Sequence, residues 1–61
     1  MTREEAQLEA GRLLCPWAEA IVMNGECIVR IPDCGGYRTV AFGKDWETVM
    51  VKVREKAAKE G

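Results

Sequence analysis

The side chains best suited to chemistry in this sequence are three cysteines, Cys15, Cys27 and Cys34. A cysteine nucleophile needs a neighbouring base, yet the chain contains no histidine. Serine is absent too, which excludes a Ser-His-Asp triad. Cys27 falls on a predicted core face, and Cys15 lies at the carboxyl end of a predicted helix, where the helix dipole disfavours a thiolate. The sequence therefore predicts no enzyme and no catalytic residue, and a redox role through an exposed Cys34 is kept as an alternative.

The cysteine pattern favours neither a metal site nor a disulfide framework. The thiols are odd in number, include no CxxC pair, and have no histidine to complete a zinc knuckle. The acidic start of the chain, MTREEAQLEAG, is helical in character and unlike a signal peptide. No apolar run approaches the roughly 18 residues of a membrane span. We therefore expect reduced thiols, no metal, no cofactor, no membrane association and a cytoplasmic location.

The stretch RIPDCGGYR, residues 30–38, contains the glycine pair Gly35-Gly36. It matches neither phosphate-loop pattern and leads into a strand rather than a helix. Pro32 has no N–H for a ladder and is expected to end the second strand, while Asp33 suits an Asx-type turn. The stretch is predicted to be a connector between two strands.

Size and charge limit the function classes. The 61 residues predict one domain, 1–61, whose small core seldom supplies more than about 3–5 kcal/mol without a staple. Because disulfides and metals are disfavoured, oligomerisation is the remaining way to stabilise it, and we expect a homodimer. The formal net charge of −1 is too close to neutral for nucleic-acid binding through bulk charge.

Local signals predict a helix followed by a hairpin. Thr2 and Glu5 form a capping box, and Pro16 should end this helix near Leu14. Two β-rich runs, AEAIVM and ECIVRI, then flank Asn24-Gly25, the preferred pair for a two-residue type I′ turn.

A two-residue turn sets the register of the hairpin, so the residues on each face can be assigned. One face is apolar throughout and is predicted to face the core: Ala18, Ala20, Val22, Cys27, Val29 and Ile31. The other face is mixed: Glu19, Ile21, Met23, Glu26, Ile28 and Arg30. Its apolar cluster of Ile21, Met23 and Ile28, with Glu19 and Arg30 as a polar rim, is the predicted protein interface.

A third strand, residues 37–42, and a second helix complete the chain. Val40 and Phe42 are predicted to point to the core, with Arg38 at the rim. Asp45 should cap the helix, whose buried stripe follows helical spacing through Trp46, Val49, Met50, Val53 and Ala57. The predicted fold is α+β, in the order α-β-β-β-α, with both helices on one face of a three-stranded antiparallel sheet.

This order resembles the topology of double-stranded-RNA-binding domains, which supports a nucleic-acid-binding alternative through Arg30, Arg38 and Lys44. Those domains place lysines at the start of the last helix to contact phosphates. The matching segment here is KDWE, residues 44–47, whose two acids would repel a phosphate backbone. Nucleic acid is therefore a disfavoured partner.

From the hairpin onward, over roughly residues 19–58, the chain resembles the N-terminal part of HicB-type antitoxins. The matching segments are VRIPDCGG and TVAFGKDWETVMVKVREKA. The resemblance implies a small protein that works by binding another protein, and it carries over no repressor function because no DNA-binding module follows the helix. The leading hypothesis is a non-enzymatic interaction module, antitoxin-like or similar to inhibitors from mobile elements, that regulates a partner whose identity the sequence does not contain.

Overall fold

The chain folds as two helices packed on one face of an antiparallel sheet. A computed structural model describes the backbone of residues 1–60 and the side chains of residues 1–59. The sheet has the order β1-β2-β3, and both helices contact it and each other. The predicted α-β-β-β-α fold is confirmed, with elements α1 (Arg3–Leu13), β1 (Glu19–Met23), β2 (Glu26–Asp33), β3 (Gly36–Gly43) and α2 (Trp46–Glu60).

Both helices begin at the predicted caps. The Thr2 hydroxyl accepts the Glu5 N–H at 3.2 Å, and the Glu5 carboxylate accepts the Thr2 N–H at 2.9 Å. Asp45 accepts the Thr48 N–H at 2.7 Å, which holds the pKa of Asp45 below its usual range. Helix α1 ends at Leu13, with Leu14 as its C-cap, as the following proline predicts.

The core lies between the helices and the sheet. The predicted stripe of α2 is buried from Trp46 to Val53, and Ala57 is half-buried at its end. Several of the buried side chains are alanines, which allow close approach of the layers but remove little apolar area from water. The full set is Ala6, Ala10, Ala18, Ala20, Cys27, Val29, Val40, Ala41, Trp46, Val49, Met50 and Val53.

The first hairpin has the predicted register. Asn24 and Gly25 both adopt positive φ, 53° and 77°, as a type I′ turn requires. Glu19 pairs with Arg30 and Ile21 with Ile28. The prediction that Ile21 and Ile28 lie on the face opposite the core is therefore confirmed.

The stretch 30–38 connects β2 to β3, as predicted, and forms a second tight hairpin. The prediction that Pro32 ends the strand is wrong, because β2 continues to Asp33 and Pro32 pairs with Tyr37. The backbone of Pro32 faces the β1 side of the ladder, where no strand residue lies beyond Glu19, so its missing N–H costs no ladder bond. Gly35, with φ of 84°, supplies the left-handed conformation in the turn.

A β-bulge changes the faces of β3. Val29 pairs with Ala41 and Arg30 with Thr39, which leaves Val40 as an extra residue. Val40 and Ala41 are both buried, and every later residue of β3 changes face. The prediction that Phe42 points to the core is wrong: it lies opposite Ile28 on the outer side and is 55% exposed.

The outer edge of β1 is covered by side chains of α1. The Gln7 amide donates to the Ala18 carbonyl and accepts the Ala20 N–H at 2.7 Å. Arg3 donates to the Ala20 carbonyl at 3.3 Å. These side chains take the positions that a neighbouring strand would occupy, so α1 closes this edge.

We predict that Gln7→Ala destabilises the protein by about 1–3 kcal/mol, because two partly buried backbone groups lose their partners. Chemical denaturation followed by circular dichroism measures the effect. Leu8→Ala is the matched control, since Leu8 is 71% exposed on the same helix and alanine suits a helix at either position. Equal stability of the two variants would contradict this account of the β1 edge.

Candidate functional site

The candidate site is the outer face of the sheet, opposite the helices. No other element of the described residues packs on this face. It comprises Glu19, Ile21, Met23, Glu26, Ile28, Arg30, Tyr37, Thr39 and Phe42, as the strand register places them.

An apolar row crosses all three strands of this face. Ile21 pairs with Ile28, and Ile28 pairs with Phe42. The two isoleucines are half-buried, whereas Phe42 and nearby Met23 are at least half exposed. We call Ile21, Ile28 and Phe42 the apolar row. Sequence reasoning missed Phe42, because the bulge at Val40 that turns it outward leaves no mark in the hydrophobic pattern.

A polar cluster lies beside the apolar row, at the Glu19–Arg30 pair, which is the next pair of β1 and β2 on the same face. Arg30 Nη2 donates to Glu19 Oε1 at 3.1 Å, and the Arg30 guanidinium stands over the Tyr37 ring, 4.2 Å from its centroid. This is the geometry of a cation–π contact. The predicted cross-strand pair of Glu19 and Arg30 is therefore present, and Tyr37 is a member that the sequence reasoning did not identify.

The cluster is electrostatically coupled. The Tyr37 hydroxyl lowers the pKa of Glu19, and the hydrogen bond from Arg30 lowers it further. The Glu19 carboxylate in turn raises the pKa of Tyr37. Arg30 Nε is covered and has no hydrogen-bond partner among the described residues. Arg30 is thus positioned by stacking and by its ion pair at the margin of the apolar row.

The structure does not bring together the three residues of the nucleic-acid alternative. Arg30 is on the outer face, in an ion pair with Glu19. Arg38 pairs with Ile31, on the helix side of the sheet. Lys44 lies beyond the end of β3, six positions after Arg38.

The cysteines occupy three separate environments. Cys27 is buried, and burial raises the pKa of its thiol, with a smaller effect from Asp45. Cys15 is half-buried, and Cys34 is exposed in the second hairpin turn, where its N–H donates to Asp33 Oδ1 at 2.8 Å. Within residues 1–60, no group of three or more His, Cys, Asp or Glu side chains is placed to hold a metal ion. None of the helices in this range is long and apolar enough to cross a membrane.

Comparison with known proteins adds no relative: no family model, no curated protein and no solved structure matches the chain. The function must therefore be argued from the geometry of the outer face.

We predict that Tyr37→Phe raises the pKa of Glu19 towards the ordinary value of a glutamate, because the hydroxyl that lowers this pKa is lost while the ring remains on Arg30. The lowered pKa of Glu19 stabilises the folded protein above about pH 4.3, and this contribution disappears as the pH falls through the folded-state pKa. The raised pKa of Tyr37 has the opposite pH dependence. It stabilises the folded protein below about pH 10, and this contribution is lost as the pH rises through the pKa of Tyr37 in the folded protein.

The measurement is a carboxyl NMR titration of both proteins, together with denaturation midpoints at several pH values. The difference between the denaturation midpoints of the wild type and Tyr37→Phe should be largest at neutral pH and should disappear in acid. An unchanged Glu19 titration in Tyr37→Phe would contradict the proposed coupling.

Proposed function

We propose that this chain is a non-enzymatic protein-interaction module that regulates or inhibits a partner protein through the outer face of its sheet. The observation that carries the proposal is the apolar row Ile21–Ile28–Phe42, which crosses every strand of a face with no covering element among the described residues. A cluster of exposed apolar side chains rimmed by polar groups is typical of contact surfaces.

The composition of the face supports an interface with a defined orientation. The apolar row supplies area to remove from water, and the phenylalanine at its end is a residue type enriched in protein interfaces. The cluster of Glu19, Arg30 and Tyr37 presents both charges at the margin of the row. A partner must match those charges, which favours one docking orientation over others.

The partner we propose first is a second copy of the chain. A two-fold axis near Ile28 would place one apolar row against the other, as a self-complementary interface requires. The alanine-rich core supports this proposal, because a small core gains stability from a partner subunit.

The proposed regulatory role and the proposed cytoplasmic location are inferred from the sequence alone. The resemblance of residues 19–58 to HicB-type antitoxins implies action by binding another protein. A nucleic-acid-binding function has less support, since Arg30, Arg38 and Lys44 lie in three different places. The exposed Cys34 keeps the redox alternative open, although no histidine is available as its base.

We predict that Ile28→Glu weakens self-association by at least about thirtyfold, because it places a charge at the centre of the apolar row. Sedimentation equilibrium over a range of concentrations measures the dissociation constant. Val51→Glu is the matched control: Val51 is 50% exposed on α2, in the opposite layer of the molecule.

Circular dichroism is used to check that both variants fold. Phe42→Ala tests the same row at a position where more than half the side chain is already exposed. A wild-type protein that stays monomeric throughout the concentration range would overturn the homodimer. Equal dissociation constants for Ile28→Glu and Val51→Glu would place the interface elsewhere.

A further inference from the structure

The two edges of the sheet are covered differently. Side chains of α1 hydrogen-bond the backbone of Ala18 and Ala20 at the β1 edge. At the other edge, Lys52 Nζ donates to the Phe42 carbonyl at 2.9 Å. Within the described residues, no other hydrogen bond from a helix or loop reaches the outward groups of β3. The edge of β3 therefore retains backbone donors and acceptors available to another chain.

The register identifies those groups. Asp33 and Gly36 flank the two-residue turn and form its closing pair, so Gly36 and then Arg38 direct their N–H and C=O groups towards β2. Tyr37 and Thr39 alternate with them, and their backbone N–H and C=O groups point away from β2, towards the open edge. After the bulge, the Phe42 N–H points outward as well, whereas the Phe42 carbonyl already accepts a hydrogen bond from Lys52. The open edge thus spans most of β3.

Helix α2 lies beside this edge and forms a groove with it. Two adjoining hollows of about 400 and about 440 Å³ share Thr39, Val40, Lys56 and Lys59 as lining residues. The floor of the groove is apolar, formed by Leu14, Ile31, Val40 and Ala41. A segment seated here would find backbone partners along one side and an apolar surface beneath it.

The wall of the groove is cationic. It carries Arg38, Lys52, Lys56 and Lys59, and Glu55 is the only acid among its lining residues. None of these cations forms an ion pair with a side chain described in residues 1–59. Lys52 lies near Phe42, and Lys59 lies nearer Arg38, so the cations extend along the strand edge.

We propose that the edge of β3 accepts an extended, acidic segment of a partner protein, which adds to the sheet as a further strand. Alternate side chains of such a strand face the groove at intervals of about 6.6 Å. Lysines one helical turn apart are separated by about 5–6 Å. A segment with an acid at every second position would therefore place successive carboxylates beside successive cations. This surface meets the apolar row at Phe42, which also lines the groove, but it does not depend on the function proposed for that row.

Other occupants fit the groove less well. A second copy adding its own β3 would bring the cations of both copies together, which is unfavourable. A nucleic acid would use the cations through its phosphates but would leave unused the backbone groups of β3 and the apolar floor. An acidic strand uses both the cations and the backbone groups of β3, as in other cases of β-strand addition.

The test uses the full chain and a blocked seven-residue peptide in which glutamate and valine alternate. We expect binding in an NMR titration, with slowed hydrogen exchange at the amides of Tyr37 and Thr39. N-methylation of the peptide amides that would face β3 should weaken binding by about tenfold or more, because each lost N–H removes a ladder bond. The corresponding lysine–valine peptide should not bind.

Protein variants separate charge from strand pairing. Lys56→Glu should weaken peptide binding by about tenfold, whereas Lys44→Glu, a lysine outside the groove lining, should leave it unchanged. Ile28→Glu should leave it unchanged as well, because the apolar row is on the other face. This last variant separates failure of the groove from failure of the outer-face interface.

Three results would overturn the proposal. The first is no binding at millimolar peptide in low salt. The second is equal binding by the N-methylated peptide, which would show attraction by charge alone. The third is tighter binding of a thymidine oligonucleotide of matched charge that Lys56→Glu abolishes, which would assign the groove to nucleic acid.

Discussion

The face that each sheet residue occupies depends on the register of two tight hairpins and on one extra residue in β3. Asn24-Gly25 pairs β1 with β2, and the turn at Gly35 pairs β2 with β3. Since side chains alternate with a period of two, a single inserted residue reverses every face that follows it. Val40 is that residue. Without it, Phe42 would point to the helices, and the apolar row would end at Ile28.

The size of the core explains why apolar side chains remain outside it. The helices lie close to the sheet because alanines occupy much of the contact, at positions such as Ala6, Ala10 and Ala20. Close packing around small side chains yields less hydrophobic stabilisation than burial of larger ones. Two large apolar residues of the sheet, Ile28 and Phe42, lie on the opposite face, where a partner would remove their remaining exposed surface from water.

The two sheet edges show how the same architecture can close one surface and open another. Helix α1 lies along β1 and supplies Gln7 and Arg3 as hydrogen-bonding partners for its backbone. Helix α2 instead lines a groove beside β3 with lysines. Exposed edge strands tend to aggregate, and lysines near an edge oppose pairing between identical copies. The same lysines attract an acidic chain, so protection and selective binding have one physical origin.

Local interactions were readable from the sequence. The capping box at Thr2, the Asn24-Gly25 turn and the Asp45 cap each depend on residues within four positions of one another, and the structure has all three. The hairpin register followed from the turn, which correctly placed Ile21 and Ile28 together on the outer face. Most of the fold and the centre of the candidate site could therefore be predicted.

Features that depend on distant residues could not be read in this way. The bulge at Val40 arises where β3 is matched to β2 beneath α2. Pro32 is tolerated inside a strand only because β1 is too short to reach it, and Tyr37 joins Glu19 and Arg30 only through pairing across the sheet. The sequence by itself determined the elements, the helix caps and one hairpin register, because those depend on neighbouring residues. The tertiary structure decided which apolar side chains reached the surface and which edge stayed open, because those depend on how strands and helices meet.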